Sequence, residues 1–151
     1  MLDAGEERPP GLRAWMGLCE VVDRVRVLVN RDLQTAVELT LAENLVLCQV
    51  AMAPGRRLRM IEIADILSVA KSAVTKTVDR LEDRGLLDRE RDPGDRRIVY
   101  ATLTAQGQTV FAAAQPAFVD AVQRHFAGQL GEAALRELLD LPASVLQTRP
   151  S

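Results

Sequence analysis

Apolar residues recur along this chain mostly at helical spacing, and one stretch near the middle changes to the alternation of strands. Trp15, Cys19, Val22, Val25, Val29, Leu33 and Ala36 hold one stripe, so a long helix is expected over about Leu12–Val37. Leu39–Ala53 reads as the next helix. Thr40 is its N-cap and Glu43 stands three residues on, the spacing of a capping box. Pro54-Gly55 ends it. A short helix is expected over Ile61–Leu67, broken at Ser68-Val69-Ala70, and a second over Lys71–Arg84, stopped by Gly85. Leu86–Arg91 and Arg97–Leu103 read as two strands around Asp92-Pro93-Gly94-Asp95, where Pro-Gly supplies a tight turn. Helical spacing returns from Thr104 to about Phe126, marked by Phe111, Ala114, Phe118, Ala121, Val122 and Phe126. Pro116 should kink that helix. A last helix is expected over Glu132–Asp140, with Pro142 interrupting or ending it.

Helix, tight turn, helix and basic hairpin, in that order, make a winged helix-turn-helix. The fold class is therefore mainly α (α+β): a winged lobe with a two-stranded β-wing, and terminal helices outside it. In the second helix of the motif, Val74, Val78 and Leu81 face inward at i, i+4 and i+7. Ser72, Thr75, Lys76 and Asp79 fall on the opposite face, with Arg80 at its edge. Such a helix can enter a major groove, where small polar side chains reach base edges and Lys or Arg reach phosphates. The hairpin adds Arg89, Arg91, Arg96 and Arg97. The bland alternative is a winged-helix scaffold that binds no DNA.

The run Val74-Thr75-Lys76-Thr77-Val78-Asp79-Arg80-Leu81-Glu82-Asp83-Arg84-Gly85-Leu86-Leu87 resembles the recognition-helix signature of the multiple antibiotic resistance regulator (MarR) family. Asp92-Pro93-Gly94-Asp95-Arg96-Arg97, then Leu103-Thr104 and Gly107, resemble its wing and the return from it. Leu39-Thr40 and Glu62-Ile63-Ala64 fit as well. The resemblance implies a homodimeric, ligand-responsive repressor that binds a palindromic operator on double-stranded DNA. It implies base or adjacent phosphate contacts from Ser72, Thr75 and Lys76, and backbone contacts from Lys71 and Arg80. Arg97 would enter the minor groove, oriented by Asp95, while Arg91 and Arg96 would add phosphate contacts. Residues 11–38 and 104–147 would form the dimerisation region, 39–103 the DNA-binding lobe, and 1–10 a disordered tail. A small apolar or aromatic acid would suit as effector. The chain departs from the family pattern in placing Arg59 and Ala70 where a capping Ser, Thr or Asp is usual.

Composition changes this picture in few places. A chain of 151 residues with 48% apolar and 3% aromatic residues carries an aliphatic core. Net charge is −2, yet Arg56–Arg97 holds eleven Lys and Arg against nine Asp and Glu, so the basic excess lies in the motif. No apolar run approaches a membrane span and the start is acidic, which leads to the expectation of a cytoplasmic protein without membrane contact. Cys19 and Cys48 have neither metal spacing nor a disulfide framework, and each shares an apolar stripe, so both are expected to be structural. A thiol-based redox sensor acting through Cys19 is the alternative regulatory reading, though the only tyrosine is Tyr100, on the wing. His125 is the only histidine and there is no glycine-rich phosphate loop, so no enzyme, metal or cofactor is expected.

Overall fold

A computed structural model describes residues 8–146; most of the expected tail, residues 1–7, and the chain beyond 146 lie outside the described residues. Contacts divide the chain into two units, Asn30–Val119 and the pairing of the segment up to Val29 with the segment from Asp120.

The Asn30–Val119 unit is the winged lobe. It contains the second part of α1 (Pro10–Val37), α2 (Leu41–Met52), β1 (Arg57–Arg59), α3 (Met60–Leu67), α4 (Lys71–Asp83), β2 (Leu87–Arg91), β3 (Val99–Leu103) and most of α5 (Ala105–His125). Its core is aliphatic, with Leu39, Leu47, Val50, Ile63, Val78, Leu81, Leu86 and Leu87 buried. α2 starts as its sequence indicates. Thr40 Oγ1 accepts the Glu43 N–H at 3.1 Å and the Glu43 carboxylate accepts the Thr40 N–H at 3.0 Å, two free helix-end donors satisfied reciprocally. α4 ends as expected too. Gly85 takes φ 71°, Leu86 N–H donates to the Leu81 carbonyl at 2.9 Å, and Gly85 N–H donates to Glu82 at 2.8 Å. That is a Schellman closure, with Leu81 and Leu86 both buried as its apolar contact.

The two expected strands are present but shorter, at Leu87–Arg91 and Val99–Leu103, and they form the wing hairpin. Arg97, expected as the first strand residue, lies instead in the turn before β3. A third strand was not foreseen. β1 pairs antiparallel with β3, giving the sheet order β1-β3-β2. Arg57 is half-buried there, its guanidinium carbon 3.8 Å from the centre of the Tyr100 ring. The return from the wing is tight. Thr104 Oγ1 donates to the Gly85 carbonyl at 2.7 Å and accepts the Gly107 N–H at 2.9 Å. A β-carbon at Gly107 would stand 2.0 Å from the Leu86 carbonyl oxygen, so only glycine fits that approach.

The other unit holds the first part of α1, the end of α5 and α6 (Glu132–Leu146). α6 runs through Pro142 instead of stopping before it. A proline removes one N–H from the ladder. Two residues on, Ser144 Oγ donates to the Asp140 carbonyl at 3.0 Å, an added side-chain bond in that turn. Among the described residues, no single helix is long and apolar enough to cross a membrane.

Candidate nucleic-acid interface

α4 presents two different faces. Val74, Thr77, Val78 and Leu81 are buried, while Lys71, Ser72, Thr75, Lys76, Asp79 and Arg80 are exposed. Its N-cap, Ala70, has the extended geometry of a cap residue but offers no side-chain acceptor. At the start of α3 the deficit is half met, because the Glu62 carboxylate accepts the Arg59 N–H at 2.9 Å.

Asp79 stands among the exposed polar residues of α4, and Arg89 of β2 answers it. The Arg89 guanidinium donates to Asp79 Oδ1 at 2.5 Å, to Glu82 Oε2 at 2.5 Å and to the Thr75 carbonyl at 3.3 Å. Burial lowers the Arg89 pKa, and the hydrogen bonds and charges of Asp79 and Glu82 outweigh it, so the net shift is upward. Arg89 thus joins the hairpin to the recognition helix and cancels acids that would repel phosphate. Sequence spacing alone does not single out Arg89 as that partner. Asp79 and Arg89 stand ten positions apart and meet only when the hairpin folds back onto α4.

At the wing tip, Asp92 Oδ1 accepts the N–H groups of Gly94 at 2.8 Å and Asp95 at 3.0 Å, and Ile98 N–H closes a turn onto the Asp95 carbonyl at 2.9 Å. Within that turn Arg97 grips Asp95 in bidentate fashion, Nε–H to Oδ1 and Nη2–H to Oδ2, both at 3.0 Å. The Arg97 backbone N–H also donates to Oδ1 at 3.0 Å. The Arg97 side chain remains 91% exposed. Its side-chain bonds, then its backbone bond, hold the Asp95 carboxyl below the usual carboxylate range. Arg91 donates to the Arg96 carbonyl at 3.2 Å, closing the hairpin from inside, and Arg96 is exposed.

A cleft of about 870 Å³ runs between α3, α4 and the hairpin. Lys71, Thr75, Arg91 and Arg97 line it together with Arg59, Asp79, Glu82, Arg89 and the apolar Ile61 and Val99. Ser72, Lys76, Arg80, Asp95 and Arg96 lie outside its lining. Behind this surface, Arg84 at the end of α4 donates to the Glu38 carbonyl at 2.9 Å and to the Glu43 carboxylate at 3.4 Å. That link ties the recognition helix to the α1–α2 corner across some forty positions, beyond the reach of any local sequence signal.

The MarR family model matches residues 39–99, the span that holds α2 to the start of β3. The transcriptional regulator HosA of Escherichia coli O127:H6 is 30% identical over 111 residues, covering 74% of this chain and 80% of HosA. The chain belongs to the MarR family. It is a DNA-binding transcriptional regulator of that family, with the winged helix-turn-helix that its members carry. Sco3205, a MarR family regulator from Streptomyces coelicolor crystallised in complex with DNA, superposes with a TM-score of 0.83 at 27% identity, covering 99% of this chain and 95% of Sco3205. A mutant MarR from E. coli complexed with operator DNA gives a TM-score of 0.74 at 27% identity, covering 85% of this chain and 90% of that one.

Proposed function

We propose that this MarR-family chain is a homodimeric repressor that binds a palindromic operator and is released by a small apolar or aromatic acid. Arg97 carries the reading. A guanidinium clamped along one edge by one carboxylate, yet 91% exposed at the tip of a hairpin, is pre-aimed at something outside the protein. Narrow minor grooves over A·T-rich DNA concentrate negative potential and accept such an arginine. On the same lobe, Lys71, Ser72, Thr75, Lys76 and Arg80 form the exposed face of α4 that contacts bases and phosphates in the major groove. Arg91 and Arg96 contribute phosphate contacts beside the wing. That Sco3205 and a mutant E. coli MarR were crystallised in complex with DNA supports DNA binding by this lobe.

The test is fluorescence anisotropy with operator DNA selected from a random pool, titrated across salt concentrations. Expected is a linear loss of log affinity with log salt. Selected sites should be inverted repeats whose half-sites lie roughly one DNA turn apart, about 34–36 Å. No binding to any selected duplex would make the chain a scaffold.

A further inference from the structure

Thr75 sits near the middle of the exposed face of α4, one turn before Asp79, and its hydroxyl is not turned outward. Oγ1 donates to the Lys71 carbonyl at 3.0 Å, the back-bond that threonine makes to the residue four before it in a helix. Thr77 makes the same bond, to Ala73 at 3.0 Å, but Thr77 is buried in the lobe. The two residues share one side-chain geometry on opposite faces. In each, the hydroxyl proton is spent on the helix and the γ-methyl is the group left to meet whatever lies outside the backbone. For Thr77 that is the protein core. For Thr75 it is the open space of the wing cleft, which Thr75 lines.

We infer that Thr75 reads sequence through its γ-methyl, by apolar contact with the 5-methyl group of one thymine in each half-site. The inference rests on the DNA-binding reading and makes it specific. In the major groove the thymine methyl is the one apolar feature that distinguishes a base, and a threonine methyl is among its natural partners. The surroundings favour that use. Arg89 holds the Thr75 carbonyl at 3.3 Å and occupies Asp79 at 2.5 Å, so the helix is braced at this position and the nearest acid is neutralised. A methyl placed on a braced helix and relieved of an adjacent free charge can approach another methyl closely enough to exclude water. A hydroxyl engaged with Lys71 keeps only its acceptor lone pairs, so a donor-type contact to guanine or thymine oxygens is closed to it.

The experiment replaces each thymine of the selected operator, one at a time, by uracil, which removes the 5-methyl group and nothing else. Wild type should lose about fourfold in affinity at one position per half-site, the value of one methyl withdrawn from water. Thr75→Ser keeps the hydroxyl and drops the methyl, so it should bind the thymine and uracil operators equally at that position. Thr75→Val keeps the γ-methyl and puts a second methyl in place of the hydroxyl, so it should retain the fourfold preference whatever its overall affinity. Equal thymine preference in wild type and Thr75→Ser would overturn the inference, as would a preference lost in Thr75→Val. If wild type selects no DNA at all, the failure belongs to the DNA-binding reading and not to the role of Thr75.

Discussion

Asp95 is a negative charge on a surface that meets phosphate, and by Coulomb attraction alone its removal should strengthen binding. The bidentate bond to Arg97 reverses that sign. Asp95→Ala frees the guanidinium to sample many orientations, and the entropy of fixing it falls on the binding step. Weaker operator binding is therefore expected for Asp95→Ala in the anisotropy titration, and tighter binding at every salt concentration would show Asp95 to be a mere surface charge. Arg97→Ala should weaken binding, lower the salt slope by about one and soften preference for A·T flanks. The pH dependence follows from the direction of the shift. With the carboxyl of Asp95 below the usual range, the pair is intact above the ordinary carboxylate pKa of about 4 and is lost only as pH falls through the lower folded value. Between pH 5 and 8 its contribution should be flat. The pairing was legible in the sequence as two residues of opposite charge at a turn. The turn geometry was not, because Arg97 was read as the first residue of a strand, whereas the hydrogen bond from the Ile98 N–H to the Asp95 carbonyl curls the segment.

Between elements, the hairpin and the recognition helix behave as one body because a single arginine holds both. Removing it by Arg89→Met should leave Asp79 and Glu82 uncompensated near DNA and release the hairpin. We expect at least a tenfold loss of operator affinity, about 1.4 kcal/mol, with partial recovery in the Arg89→Met/Asp79→Asn double variant. A double variant no better than the single one would mean that Arg89 acts through the hairpin's position and not through charge. Sequence reading reaches elements whose signals are local: the Thr40–Glu43 box, the Gly85 stop and the Pro-Gly turn each act within a few residues. It misses β1, three residues whose strand character comes from pairing with β3 some forty positions on. It also overstates Pro142, since one lost N–H does not end a helix whose neighbouring turns hold.

For the molecule as a whole, the outstanding fact is apolar surface left bare in a single copy. Trp15 is 64% exposed, Val27 69% and Leu139 78%, all in the unit built from α1, the end of α5 and α6. An isolated exposed leucine means little, but a set of this size on the terminal helices points to a second copy. Sedimentation of the intact chain at micromolar concentration should give about twice the chain mass. A clean monomer would remove both the dimer and the inverted-repeat operator. Cys19 and Cys48 are half-buried, and burial pushes the Cys48 thiol up, away from the thiolate that a redox sensor needs. The cancellation of charge on the DNA face carries a further consequence for the search along a chromosome. Arg89 is committed to two acids, Asp79 and Glu82, in a chain whose net charge is −2. On arbitrary duplex Arg89 then releases no counterion of its own, so bulk DNA competes for the protein less than the basic content of Arg56–Arg97 alone would give. A modest number of copies per cell then suffices to keep one operator filled.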